Sequence, residues 1–177
     1  MRFLLLLLLS SEAFGLNIVG RVGVDTRPVV VELMLLKAAE PQEIKMHIDT
    51  PGGSVLVMEE IYNVMKELKD LSHTFTCTIK RAYSAGFVIA SMCDVRIAEP
   101  DASFMWHHAA YPYMGYINLP YINTSKKRLD KLQIKWDNLI LESFIADLDI
   151  FKYIRDKEVY LTAEMMNKIS PGYLRSK

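Results

Sequence analysis

The stretch from Lys80 to His108, KRAYSAGFVIASMCDVRIAEPDASFMWHH, constrains this chain more than any other. It sets Ser84 among the small residues Ala82, Ala85 and Gly86 at the start of an apolar run. It ends in histidines after a second short apolar run, Phe104 to Trp106. A strand, a sharp turn, a helix and a further strand would account for that order and would bring a hydroxyl and an imidazole together. A nucleophile with a base beside it is the simplest chemistry such a pair supports.

The alternation from His73 to Ile79 sets Phe75, Cys77 and Ile79 against Thr74, Thr76 and Thr78 and predicts a strand leading straight into this stretch. Ser84 then heads an apolar helix, Ala85 to Met92, where the helix dipole and the Ala85 amide could serve an oxyanion. The competing reading of Ser84 is a plain helix N-cap. Ser91, in mid-helix, reads as structural. Val95 to Ala98 and Ser103 to His107 predict further strand segments. Neighbours in a strand face opposite ways, so at most one of His107 and His108 shares a side with the serine, and spacing does not choose between them.

Upstream, Leu16 to Val22 predicts a strand, Gly23 to Thr26 a turn, and Pro28 to Ala39 a buried helix with proline in its first turn. Residues Glu43 to Ile48 alternate like a strand, with His47 on the outer side. The turn Asp49-Thr50-Pro51-Gly52-Gly53-Ser54 follows, and then a helix with Met58, Ile61, Met65 and Leu68 on one face. Two glycines at a helix start can aim backbone N–H groups at a negative charge, although a plain tight turn explains them as well. The GxxxxGK[ST] spacing of a Walker loop is absent.

Downstream, the aromatic segment Tyr111 to Tyr121 reads as an ordered loop. A long amphipathic helix is predicted from about Thr124 to Leu148, with Leu129, Leu132, Trp136, Leu139 and Ser143 along one stripe and a basic start, Lys126 to Arg128. The tail offers a strand, Glu158 to Leu161, and a short helix from Thr162, with Asp156 and Glu158 as the nearest carboxylates.

Lysine plus arginine and aspartate plus glutamate each number 21 in 177 residues, so no charge bias points to nucleic acid or an acidic membrane. A chain of this length, 51% hydrophobic, can bury one substantial core, and a single domain is expected. Cys77 and Cys93 form no CxxC and lie among apolar residues. They read as buried, reduced thiols, which fits a cytoplasmic protein. Met1, Arg2 and Phe3 before Leu4 to Leu9 resemble a secretory signal in part. The apolar run is too short to span a bilayer, no small-x-small site follows, and residues 1–15 are read as a mature apolar segment that packs against neighbours, with no stable membrane insertion.

Four blocks, MHIDTPGGSV, AYSAG, FMWH and VYLTAE, resemble in order and spacing the ClpP family, the proteolytic subunits of Clp proteases. The likeness runs from Leu16 to about Ile169. It implies the α/β ClpP/crotonase-like fold, a spiral of β-β-α units with a long protruding helix. The family's Ala-x-Ser-x-Gly context falls on Ala82, Ser84 and Gly86, and its Met-x-His pattern on Met105, Trp106 and His107, so the resemblance selects His107 over His108. It assigns the oxyanion-hole amides to Gly53 and Ala85.

The third triad member departs from the family. An aspartate is expected two residues before the aromatic of a [Phe/Tyr]-[Leu/Met]-[Ser/Thr]-Ala pattern, and Tyr160-Leu161-Thr162-Ala163 puts that position on Glu158, with Asp156 on the same strand face as the fallback. The resemblance implies acyl-enzyme hydrolysis of unfolded polypeptides or peptides with no metal or cofactor. It further implies a homo-oligomer of stacked heptameric rings, a tetradecamer, fed by an AAA+ unfoldase such as a Clp ATPase. The tail lacks the family's Gly-Leu/Ile-Asp ending and the leucine-rich start is not the usual axial loop, which bears on gating and partners.

Three rivals stand beside this reading. AGFVIASMCDVRIAEPDASF also looks like crotonases, which bind acyl-CoA through two backbone amides without a Ser–His pair. Serine–lysine signal peptide peptidases fit the leucine-rich start but not the Met-x-His block. A catalytically weak structural or regulatory ring subunit fits the glutamate departure and the shortened tail.

Overall fold

The computed structural model describes residues 15–110, 119–144 and 147–175. The alternation seen in the sequence is realised: Ile44, Met46 and Ile48, and then Phe75, Cys77 and Ile79, turn inward, while Lys45 and Thr74 stay outside. These residues lie in β2 (Glu43–Thr50) and β3 (Thr74–Tyr83) of a five-stranded sheet, with β1 (Gly15–Val19), β4 (Val95–Met105) and β5 (Tyr160–Thr162). The strands lie side by side in chain order. Neighbours from β1 to β4 pair in parallel, and β5 pairs antiparallel with β4. Helices α1 (Arg27–Leu36), α2 (Val55–Asp70) and α3 (Ala85–Ser91) connect the parallel strands, as parallel pairing requires of its crossovers. This is a mixed α/β architecture consistent with the ClpP-like fold that the resemblance implies, although among the described residues the repeat through β4 is one strand per helix rather than β-β-α.

On α2, Ser54 caps the first turn by accepting from the Val57 amide, and Met58, Ile61, Met65 and Leu68 are buried as the spacing predicts. His47, on the outer side of β2, is half-buried and faces Glu99 at 3.6 Å. Phe87 on α3 stacks with Trp106 and Tyr173 and meets Phe104 and Phe144 edge-on. That cluster joins the serine's helix to β4, to the long helix and to the tail.

Several boundaries move for physical reasons. β1 stops at Val19 because Gly20 takes φ +79°; Val22 bridges to Gly53 instead. The segments predicted at Val95 to Ala98 and Ser103 to His107 merge into one strand, β4, which ends at Met105 and leaves Trp106 and His107 beyond it. Pro100 is accommodated there because pairing with β3 lapses between Ala98 and Ser103. The long helix, α4, spans Leu119–Ser143, five residues earlier at each end than expected, with Pro120 in its first turn. Its second half carries buried Trp136, Asp137 and Ile140, while Leu119, Tyr121 and Ile122 near its start are exposed. A separate helix, α5 (Leu148–Asp156), follows, capped by Asp147, whose carboxylate accepts from the Asp149 and Ile150 amides. Asp156 therefore ends a helix and is not on a strand face with Glu158. The last helix is α6 (Ala163–Ile169). Residues 1–14 and 111–118, with the leucine-rich start and most of the aromatic segment, lie outside the described residues.

The reduced thiols are a correction. Cys77 and Cys93 form a disulfide, with Cα atoms 6.0 Å apart. The sixteen-residue separation hid the pairing because α3 folds back along β3, bringing the end of the helix against an inward position of the strand. Beyond Gly172, Tyr173 and Leu174 are buried, and Arg96 holds this tail by donating from Nε to the Tyr173 carbonyl at 2.7 Å.

Candidate functional site

Three neighbouring parallel strands end on the same edge of the sheet, and each delivers one part of the predicted constellation. Pro51 to Ser54 follows β2, Ser84 follows β3 and His107 follows β4 by two residues. A bulge at Lys80, which the pairing skips on both sides of β3, bends the strand just before the serine.

Ser84 occupies φ +52°, a region that a non-glycine residue seldom enters, in the sharp turn between β3 and α3. Its side chain makes no helix-capping bond. The hydroxyl oxygen instead lies 2.7 Å from Nε2 of His107. The N-cap reading of the serine thus gives way to a Ser–His contact. The Ser84 amide donates to the Met105 carbonyl at 2.9 Å, fixing the turn to the end of β4. Beside it, Tyr83 shares a 2.7 Å hydrogen bond with Ser103 and packs edge-on against Tyr160 of β5.

Gly52, at φ +88°, lies directly against this turn: a Cβ there would come 2.7 Å from the Ser84 Cβ and from the Tyr83 carbonyl oxygen. Only a residue without a side chain lets the β2–α2 loop lie this close. Gly53, at φ +152°, pairs with Val22 and leads to Ser54, whose amide donates to the Val22 carbonyl at 2.7 Å. Ala85 is the first residue of α3, so its N–H has no carbonyl four residues back within the helix.

Both histidines lie past the end of β4, so strand geometry does not separate them; their partners do. His107 faces Ser84 through Nε2, and its Nδ1 lies 3.6 Å from Glu158 Oε1, an ion-pair distance longer than a hydrogen bond. His108 Nε2 is 2.8 Å from Asp156 Oδ1. Glu158 sits in the turn between α5 and β5 at φ +51°, with its side chain 65% exposed against 27% for His107. Asp156 is held below the usual carboxylate range by the hydrogen bond from Arg155, with His108 adding to the effect.

Sequence reasoning missed the polar network behind these residues. Asp137 Oδ1 accepts from Trp106 Nε1 and Gln133 Nε2, each at 2.8 Å, and Oδ2 accepts from Arg155 Nη1 at 2.5 Å. Gln133 Oε1 accepts from the Ala109 amide at 2.7 Å. A signal existed: Asp137 sits between Trp136 and Ile140 on the stripe that packs inward. A cavity of about 860 Å³ opens on the outer side of this network, with His108, Ala109, Leu129 and Ile134 among its walls. Among the described residues no helix is long and apolar enough to cross a membrane.

A sheet with a strained serine at one strand end and a histidine at the next defines an α/β chain of the Ser–His type. The Clp protease family model matches residues 16–168, and the chain belongs to that family. It is similar to the ATP-dependent Clp protease proteolytic subunit of Deinococcus radiodurans, 32% identical over 134 residues, which cover 73% of this chain and 62% of that protein. The chain thus matches less than two thirds of the length of that curated relative.

Proposed function

We propose that this chain is a serine peptidase of the ClpP type that cleaves unfolded polypeptides through an acyl-enzyme. The observation that carries this reading is the 2.7 Å contact between the Ser84 hydroxyl and His107 Nε2, on a turn whose strain aims the serine away from its helix. His107 takes the Ser84 proton as Oγ attacks the peptide carbonyl. The amides of Gly53 and Ala85 receive the oxyanion, and Glu158 steadies the imidazolium. His107 then hands its proton to the departing amine. Water, deprotonated by the same imidazole, releases the acyl group and restores Ser84. These steps need no metal or cofactor.

The reading extends to one ClpP-like domain over residues 1–177, working in the cytoplasm as stacked heptameric rings that enclose the sites and receive chains from an AAA+ unfoldase. Family membership supports this extension, as does the exposed start of α4, an apolar surface suited to contact between copies. The pairing of Cys77 with Cys93 withdraws the support that reduced thiols gave to a cytoplasmic location. A second reading, a catalytically weak ring subunit, is favoured by the exposure of Glu158 and its 3.6 Å separation from His107.

Fluorophosphonate labelling with light scattering tests both. Labelling of assembled wild-type protein that Ser84→Ala abolishes, together with turnover of a short peptide ester, supports the peptidase. Assembled rings without labelling support the weak subunit. Saturable acyl-CoA binding without labelling would instead support the crotonase reading.

A further inference from the structure

The segments that bear His107 and Glu158 come from distant parts of the chain, yet both are tied to one buried carboxylate. Asp137 projects from the inward face of α4 and is mostly buried. One oxygen takes the indole N–H of Trp106, the residue immediately before His107. The other takes the guanidinium of Arg155, three residues before Glu158. The same Arg155 reaches Asp156 through Nε at 2.8 Å, and Asp156 meets His108. Gln133, one turn earlier on α4, donates to Asp137 and accepts from Ala109, so the His107–His108 segment is held from both of its ends.

We infer that Asp137 is a positioning residue for peptide hydrolysis, setting the separation between His107 and Glu158 by fastening Trp106 and Arg155 to one carboxylate; this rests on the serine-peptidase reading above. The His107–Glu158 pair is long and half in water, and it has little holding power of its own. Its geometry therefore depends on what restrains the two backbones. A carboxylate suits this role better than an amide would. All its neighbours here are donors, and a carboxylate offers two accepting oxygens and a charge to match Arg155. An asparagine would turn an N–H₂ group toward one of those donors.

The test compares wild type, Asp137→Asn, Glu158→Gln, the double variant and Ser84→Ala with a short peptide ester, with circular dichroism for folding. Asp137→Asn should lower kcat at least about tenfold with KM within about threefold. Because Asp137 acts through the His107–Glu158 pair, the double variant should lose at least about fivefold less than the product of the two single losses. Should Asp137→Asn not fold, Gln133→Met keeps the Asp137–Arg155 pair and removes the Ala109 anchor. It should lower kcat about threefold or more at constant KM. Wild-type kcat in these variants, multiplicative losses in the double variant, or losses that only track the unfolded fraction would overturn the inference. An active Ser84→Ala would instead overturn the peptidase reading beneath it, whereas an inactive Ser84→Ala beside a fully active Asp137→Asn would sink this inference alone.

Discussion

The backbone N–H of Ser84 donates to the carbonyl of Met105 at 2.9 Å, so the turn that bears the hydroxyl is fastened two residues ahead of the imidazole it meets. The Ser–His distance is thereby set by main chain rather than by two free side chains. The cost is a serine held at φ +52°. A non-glycine residue in such a region stores about 1–3 kcal/mol. Glycine relieves that strain but loses about 0.4–1 kcal/mol through the greater freedom of the unfolded chain. Ser84→Gly should therefore unfold at higher urea than Ser84→Ala, by about 1 kcal/mol, although both lack the hydroxyl. Equal midpoints would mean that the turn is unstrained.

Gly52 gives a sharper test of the same turn. Ser84 and Tyr83 occupy the space that a side chain at Gly52 would need, and its φ is positive. Gly52→Ala should destabilise by about 2 kcal/mol or more and slow fluorophosphonate labelling of the folded fraction. A well-folded variant labelled at the wild-type rate would show that the loop does not support the serine.

The two acids have different partners, and substitution should separate them. Glu158→Gln should lower kcat about tenfold or more, short of the ~10⁴-fold loss known for a buried triad aspartate, because Glu158 is exposed and 3.6 Å from His107. Asp156→Asn should cost less than Glu158→Gln. The reverse order in steady-state kinetics would hand the role to Asp156.

Acid should loosen the Asp156 junction. Its folded pKa is depressed, so its contribution is present above the unfolded value of about 3.9 and is lost as pH falls through the lower folded value. The group is about half exposed, so the contribution stays below about 1 kcal/mol. Asp156→Asn should flatten the fall in stability below about pH 4, seen as a smaller shift in urea midpoint from pH 5 to pH 3. An unchanged slope would remove Asp156 from the acid response.

The disulfide carries the largest stability prediction. Closing a loop of this length constrains the unfolded chain by about 3 kcal/mol. A Cys77→Ala/Cys93→Ala variant should lose about that much, and denatured protein should show two thiols only after a dithiol reductant. Two titratable thiols without reductant would refute the pairing.

What the sequence disclosed was what repeats locally. Alternation placed Ile44 to Ile48 and Phe75 to Ile79 inward, apolar spacing placed α2, and small residues around Ser84 marked its turn. The unforeseen features are pairings between distant positions: Cys77 with Cys93, Asp137 with Arg155, Trp106 with Asp137. Local periodicity carries no information about which far residue a side chain meets. The helix α5 was legible in principle, since Asp147 caps a run in which Phe151 and Ile154 are three apart. The expected long helix ends at about Leu148 and the expected strand begins at Glu158, so nearly all of α5 falls in the stretch between them that the sequence reading leaves unassigned.

Ser84 lies inside the covalent ring that Cys77 and Cys93 close, and so do the turn before it and the whole of α3. A peptide bond cut anywhere from residue 77 to residue 93 would leave both fragments joined through sulfur. Such a nicked chain would keep its full mass under non-reducing electrophoresis and separate into two bands only with reductant. Damage at the serine turn would thus be invisible to any assay of size that leaves the disulfide intact.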